Sequence, residues 1–312
     1  LQLCNLYPYR IKLIMRLVFD IYKKYFMHHL KIFIELTRLN KPIGFMLLFW
    51  PCTWGLAYAY STNNNLSLLM YYLVLFFFGS VFMRSAGCIF NDIIDKDFDI
   101  NVQRTKTRPI ASGRITVKHS LTYVLILCLI SFLILIQLNL FTIILGMSSM
   151  FLAFAYPFMK RITYWPQLFL GITFNWGIIM GWAAMNNNIS PEIILLYLSA
   201  IFWTLGYDTI YGAQDMSDDE IIGLKSTSIK FKKNIKLFVI FSYLVSTVLI
   251  LYLFRNLIGG NIFTFFLSMF ILTLIYQSIA FKNNKSNNYL KLFKFNNFSG
   301  LLLFLGIYSI NL

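Results

Sequence analysis

Residues Asn91-Asp92-Ile93-Ile94-Asp95-Lys96-Asp97-Phe98-Asp99 place four carboxylates at the end of about 25 mostly apolar residues, the length of a membrane span. On a helix advancing about 100° per residue, Asn91, Asp92, Asp95 and Asp99 share an arc of about 100°, so one ligand can meet all four. Like charges this close need a partner. Carboxylate oxygens suit a hard divalent cation such as Mg²⁺, which takes a few carboxylates and completes its shell with water and phosphate oxygens. A solvated helix end outside the bilayer accounts for one such cluster equally well. A second cluster tilts the balance: Tyr207-Asp208-Thr209-Ile210-Tyr211-Gly212-Ala213-Gln214-Asp215-Met216-Ser217-Asp218-Asp219-Glu220 also follows an apolar run, and Asp208, Tyr211, Asp215 and Asp219 share a helical face. The two clusters hold nine of the twelve acidic residues of a chain with net charge +15. Acid that merely decorated a surface would be scattered.

Bases follow each cluster. Arg104, Lys106, Arg108 and Arg114 come after the first, in a loop turned by Pro109 and Gly113, and Lys225, Ser226 and Thr227 come after the second. Carboxylates to hold a cation, with guanidinium and ammonium groups to neutralise the remaining charge, are what a metal–diphosphate site needs. Loop topology alone also calls for bases, but not for bases beside acids. Arg84 stands apart, because it lies inside an apolar run seven residues before Asn91. An intramembrane Arg marks a functional site or a structural ion pair, and its planar fork suits a carboxylate.

The elements that position these residues are membrane helices. At 312 residues, 58% hydrophobic and 12% charged, with a mean hydropathy of +0.67, the chain has too much apolar surface for a soluble globule. Apolar runs at 43–60, 66–90, 119–137, 139–156, 167–185, 191–210, 235–254, 258–281 and 298–311 predict nine spans, most of them near the roughly 20 residues that cross the hydrocarbon. Lys and Arg alternate accordingly. Lys31, Arg38 and Lys41, then Arg104 to Lys118, then Lys160 and Arg161, then Lys225 to Lys236, then Lys282 to Lys294 share one side, and the opposite loops hold only Arg255. The expectation is an all-α polytopic protein with its N-terminus and both acidic clusters on the cytoplasmic or matrix side. The asparagine-rich runs 63–65, 186–188 and 283–288 read as compositional bias. Cys4, Cys52, Cys88 and Cys128 are too scattered for a disulfide framework or a thiolate metal site. The bases sit in short loops rather than on a soluble face, which argues against nucleic acid and for anionic lipid or a phosphorylated substrate. Residues 1–37 form a basic N-terminal segment, either a surface helix or a targeting remnant, ahead of a nine-helix unit over 38–312. The first residue is Leu, which leaves open a processed or incomplete chain.

The motifs Asn91-Asp-x-x-Asp95-x-x-x-Asp99 and Asp215-x-x-x-Asp219 resemble the paired aspartate motifs of the UbiA superfamily of intramembrane prenyltransferases. Leu39-Asn40-Lys41-Pro42-Ile43-Gly44, Met83 to Cys88, Arg104 to Pro109, Tyr156 to Arg161 and Ile222 to Thr227 resemble the 4-hydroxybenzoate polyprenyltransferase branch, over residues 38–311. Phe90 and Gly212-Ala213-Gln214 depart from the pattern and bear on substrate preference more than on reaction type. The resemblance implies nine helices around a central cavity open laterally to lipid. Mg²⁺ would be held by Asn91, Asp92, Asp95, Asp99, Asp215, Asp218 and Asp219, the aspartates of the two motifs, Asp92, Asp95, Asp99, Asp215 and Asp219, being catalytic. It further implies a polyprenyl diphosphate donor, which loses diphosphate to leave an allylic cation, and attack by carbon 3 of 4-hydroxybenzoate. Arg84, Asn91, Arg104, Lys106, Arg108, Tyr156, Lys160, Tyr207, Asp208, Tyr211 and Lys225 are the expected substrate contacts, and Tyr156, Phe174, Trp176, Tyr207 and Tyr211 are candidates to face the cation. Ubiquinone biosynthesis in a mitochondrial or bacterial inner membrane follows. The rivals are a sister enzyme using homogentisate, a dihydroxynaphthoate or haem, and a cation transporter or channel, which would use the acids but not the bases beside them.

Overall fold

The computed structural model describes residues 19, 23, 24, 26–281 and 286–311. A helix over 26–37 (α1) precedes nine helices long and apolar enough to cross a membrane among the described residues: α2 (Ile43–Asn63), α3 (Leu66–Ile94), α5 (Val117–Leu135), α6 (Leu140–Ile162), α7 (Pro166–Asn186), α8 (Pro191–Gly212), α11 (Ile235–Leu253), α12 (Ile262–Ala280) and α13 (Ser286–Tyr308). Three short helices, α4 (Lys96–Asp99), α9 (Met216–Ile221) and α10 (Thr227–Lys230), lie in the loops after α3 and α8. The protein is an all-α integral membrane protein, as the hydropathy requires. The N-terminal surface-helix or targeting expectation falls mostly on residues outside those described, as does Cys4.

Caps explain where the spans begin and end. Asn65, Asn139 and Asn261 accept the backbone N–H of Leu68, Thr142 and Thr264, and Ser190 accepts that of Ile193 ahead of Pro191 in the first turn. Asn64 and Asn187 close α2 and α7 with φ of 53° and 54°, a left-handed conformation asparagine tolerates. The asparagine runs 63–65 and 186–188 are therefore helix stops and starts rather than compositional noise, the run 283–288 lying partly outside the described residues, and Asn63 and Asn186 join the two loops by a side-chain hydrogen bond of 3.3 Å. The last span begins earlier than 298, because α13 carries Lys291, Lys294 and Asn296 in its first half. Asn296 is buried there and exchanges hydrogen bonds with Gln277, which also receives the Tyr243 hydroxyl, while Trp203 donates to Asn296. Polar residues satisfied against neighbouring helices are compatible with a span.

The core is the α2–α7–α8–α13 group, where Trp54 and Trp203 meet at 4.9 Å between ring centroids. Helices α2 and α7 approach closely through small residues: a Cβ on Gly55 would lie 2.1 Å from the Ile178 carbonyl oxygen, and one on Gly181 2.5 Å from that of Cys52. Consecutive helices α5 and α6 pack on different partners, α5 on α3 and α6 on α7. Leu125, Leu129, Phe151, Leu244, Phe265 and Ile279 expose apolar surface outward, as lipid-facing residues do. Helix α1 buries Ile32 and Leu36 against Ala86, Ile89, Val124 and Leu127 of α3 and α5, and Glu35 pairs with Arg114 at 2.7 Å.

Candidate functional site

A cavity of about 1310 Å³ runs from the acidic loops into the bundle. Its mouth is built by both motifs, and each is built the same way. Helix α3 stops at Ile94, Asp95 takes a junction conformation (φ −86°, ψ 3°), and α4 begins at Lys96. Helix α8 stops at Gly212, Asp215 takes the matching conformation (φ −102°, ψ 4°), and α9 begins at Met216. The single continuous helical face expected across Asn91 to Asp99 is thus corrected to a helix broken at Asp95. Asn91, Asp92, Asp95 and Asp99 nonetheless all line the cavity, as do Asp215 and Asp219. Gly113 and Gly223 turn the two following loops with φ of 73° and 77°. Lys225 N–H donates to the Lys160 carbonyl at 2.8 Å and ties the second loop to α6.

Bases meet the acids across the mouth. Arg38 reaches Asp92 at 2.5 Å, Arg108 bridges Asp92 at 3.0 Å and Asp99 at 2.7 Å, and Lys160 reaches Asp95 at 2.5 Å. Arg104 grips Asp215 with both arms of its fork, at 2.8 and 2.6 Å, and so links the loop after the first motif to the second motif. Burial and the neighbouring Asp215 push the Asp219 carboxyl up to about 6, and burial raises Asp99 despite Arg108. Among the described residues no three acidic, His or Cys side chains converge to form a metal site by themselves. Two oxygens remain available: Asn91 Oδ1 and Asp95 Oδ1 are buried and accept no hydrogen bond. Buried oxygens that accept no hydrogen bond, beside further carboxylates, fit a hard cation.

Deeper in the cavity stand Arg84 from α3, Tyr156 from α6, Phe174 and Trp176 from α7, and Tyr207, Asp208 and Tyr211 from α8. The Arg84 guanidinium lies 5.1 Å from the centre of the Phe174 ring, and its Nε is buried without a partner. Tyr207 packs edge-on against Trp203, and Tyr211 lies 4.5 Å from Phe293. Beyond them the lining turns apolar, through Phe76 and Gly79 of α3, Leu135 of α5, Gly146, Met147 and Met150 of α6 and Met180 of α7.

Two expected site residues fall outside this lining. Lys106 is exposed; its neighbour Thr105 turns inward, its hydroxyl donating to the Asp99 carbonyl, so Lys106 points away. Asp218 lies about 100° around the short α9 from Asp219 and does not line the cavity. Lys225 lies at the rim, its ammonium donating to the Ile162 carbonyl at 3.2 Å. Conversely Arg38, read from sequence only as a loop charge, is a first-rank member of the mouth. It sits at φ 56° just past α1, a conformation uncommon outside glycine and often found at functional sites. Its position within Arg38-Leu39-Asn40-Lys41-Pro42 was the available signal. Arg161, 3.6 Å from Asp95 and stacked 4.8 Å from the Phe98 ring centre, was likewise missed.

Comparison with known proteins places this geometry. The chain is 48% identical over 204 residues to the mitochondrial 4-hydroxybenzoate polyprenyltransferase of Arabidopsis thaliana, covering 65% of this chain and 50% of that protein. It is 39% identical over 281 residues to the 4-hydroxybenzoate octaprenyltransferase of Blochmanniella pennsylvanica, covering 88% and 94%. The chain thus spans about half the length of the Arabidopsis protein and nearly all of the bacterial one. In fold it is similar to a UbiA homolog from Archaeoglobus fulgidus solved with DMAPP and Mg²⁺, with TM-score 0.69 and 18% identity over 90% of this chain and 99% of that one. It is also similar to a UbiA homolog from Aeropyrum pernix K1, with TM-score 0.66 and 22% identity over 85% and 95%. Residues 48–299 match the UbiA prenyltransferase family, and with nine membrane-length helices among the described residues and two aspartate motifs facing one cavity the chain belongs to that family.

Proposed function

We propose that this protein transfers a polyprenyl group from polyprenyl diphosphate to carbon 3 of 4-hydroxybenzoate, releasing diphosphate, as a step of ubiquinone biosynthesis. The observation that carries the reading is the two-ended cavity: acids and bases converge at its mouth, one Arg without an ion pair stands among aromatics at its middle, and an apolar limb lies beyond. The relatives named above act, by their names, on 4-hydroxybenzoate. The catalytic unit is 38–312, lying in a mitochondrial or bacterial inner membrane with the mouth on the matrix or cytoplasmic side.

Asn91, Asp92, Asp95, Asp99, Asp215 and Asp219 are the oxygen donors that would hold Mg²⁺, which supplies Lewis-acid stabilisation of the departing diphosphate. Arg38, Arg104, Arg108 and Lys160 supply fixed positive charge for the phosphate oxygens, and that charge counts for more inside a water-poor site. The apolar limb takes the prenyl tail. Tyr156, Phe174, Trp176, Tyr207 and Tyr211 present aromatic faces to the allylic cation, and the surrounding bundle excludes water that would quench it. Arg84, about 10 Å inside Asn91 at 1.5 Å per residue, is too deep for diphosphate and pairs with the benzoate carboxylate. A cation channel would leave the bases at the mouth without a role.

The test is purified protein in lipid, given prenyl diphosphates and a panel of aromatic acceptors. The expected product is 4-hydroxybenzoate prenylated at carbon 3. Chelator, Asp95→Ala and Asp215→Ala should each abolish turnover, and Arg84→Ala should raise the KM for 4-hydroxybenzoate by about ten-fold or more, equivalent to ~1.4 kcal/mol, with the donor KM held within about three-fold. Prenylation of a different acceptor with none of 4-hydroxybenzoate would overturn the substrate, and full activity in chelator would overturn the metal.

A further inference from the structure

Arg84 and Asp208 occupy matched positions. Arg84 lies seven residues before Asn91 on α3, about two helical turns inside its motif, and Asp208 lies seven residues before Asp215, on α8 about one turn from that helix's end at Gly212. Both line the one cavity, and Asp208 feels the charge of Arg84. They do not close on each other. Among the described residues Arg84 forms no ion pair within 4 Å and keeps its Nε without a hydrogen-bond partner, and Asp208 forms neither a hydrogen bond nor an ion pair. Other titratable groups facing this space include the hydroxyls of Tyr156, Tyr207 and Tyr211. Leaving one carboxylate unengaged inside the bundle is costly, whereas the seven other aspartates of the two clusters lie at the mouth or in the loops beside it, where bases or water reach them.

A molecule that satisfies both charges carries an anion at one end for Arg84 and a hydrogen-bond donor at the other for Asp208. Resting on the acceptor proposed above, a para-hydroxy aromatic acid has that form. We infer that Asp208 is a catalytic residue that accepts the hydroxyl proton of the aromatic acceptor. The electron balance is then complete. The bond from carbon 1 of the prenyl group to the diphosphate oxygen breaks and its pair leaves with diphosphate, the phenolic O–H proton passes to the Asp208 carboxylate, the oxygen pushes its electron pair into the ring, and carbon 3 forms a bond to carbon 1 of the allylic cation. The dienone so formed loses its carbon-3 proton to the released diphosphate, and Asp208 returns its proton to the ring oxygen. A phenolate is a far stronger carbon nucleophile than a phenol, which is what a positioned base contributes.

The rival role for Asp208 is a counter-ion that only holds Arg84 in place, and the experiment separates the two. Asp208→Asn keeps shape and removes the base. Expected is a fall in kcat of about 100-fold or more on 4-hydroxybenzoate, with the donor KM within about three-fold. The same variant is assayed with 3-fluoro-4-hydroxybenzoate, whose phenol is more acidic, and the deficit relative to wild type should shrink by about ten-fold, because an acceptor that ionises unaided needs the base less. An equal deficit with both acceptors, or a loss expressed only in the KM of the acceptor, would make Asp208 a positioning residue and overturn the inference. A measurement on the wild type guards against a variant that fails to fold: 4-methoxybenzoate, which has no proton to give, should compete with 4-hydroxybenzoate yet not be prenylated. Its turnover at a comparable rate would overturn the role equally. Failure of the wild type to prenylate 4-hydroxybenzoate at all would instead strike the acceptor assignment.

Discussion

Arg108→Ala tests whether the mouth is held by the ion pairs seen there. Arg108 is the base within 4 Å of Asp99, at 2.7 Å, and the Asp99 side chain is only 10% exposed. Asp92 also loses Arg108 but retains Arg38 at 2.5 Å, so the uncompensated charge is that of Asp99. Removing one partner of a buried pair costs about 3–5 kcal/mol, and Asp99 at the membrane edge belongs at the lower end, about 3 kcal/mol. At about 2 °C per kcal/mol for a chain of this size, the melting temperature of the purified protein in chelator should fall by ~6 °C. Adding Asp99→Asn removes the stranded charge and should restore more than half of the loss, although both variants remain inactive. The measurement is a thermal unfolding series on wild type, both single variants and the double variant, read as a double-mutant cycle. Additive losses would mean that Arg108 stabilises the protein through something other than Asp99, and an unchanged melting temperature in Arg108→Ala would mean that the pairs at the mouth carry no stability.

Gly55→Ala should lower the melting temperature and yield, because its Cβ would meet the Ile178 carbonyl at 2.1 Å, a backbone atom that cannot step aside, and overpacking of this kind costs ~1–3 kcal/mol; Gly87→Ala, with nothing within 4 Å, is the control, and equal behaviour of the two would refute the close α2–α7 crossing. Gly146→Val should act on the donor tail: a Cβ there lies 2.5 Å from Leu135 Cδ1, so the Leu135 side chain is driven into the apolar limb, and use of an octaprenyl donor should fall by about ten-fold or more, ~1.4 kcal/mol, while a geranyl donor changes by less than about three-fold. An equal loss with both donors would place the tail elsewhere. Labelling of single introduced cysteines should put the loops after Asp99, Arg161 and Ile221 on one side of the membrane and Asn187 and Asn261 on the other; Asn187 reacting from the acidic side would break the topology.

What could be read from sequence, and what could not, follows from how far apart the determinants lie along the chain. Acids inside or at the end of apolar runs are costly enough to be rare, so both motifs, Arg84 and Asp208 announce themselves without a structure. The span count is legible for the same reason, and where it slips, at the start of α13, the cause is local polarity satisfied at long range: Asn296 looks unfit for a span until Gln277 and Trp203 are known to sit beside it. The break at Asp95 carries no Gly or Pro to mark it. Loop residues are harder still, because sequence adjacency fixes no direction once the helix ends. Lys106 and Arg108 looked equivalent, yet the Thr105 hydroxyl bond to Asp99 and the turn at Gly113 send Arg108 inward and Lys106 out. Arg38 shows the converse. Its charge was visible and its role was not, since that role depends on α1 packing against α3 and α5 and on a left-handed backbone at Arg38 itself. The membrane-crossing helices thus set the depth at which each group stands, and the loops outside them decide which charges meet. The depth of Arg84 and Asp208 is fixed by helices and was inferable, whereas the grip of Arg104 on Asp215, 111 residues away, is a property of loops and required the fold.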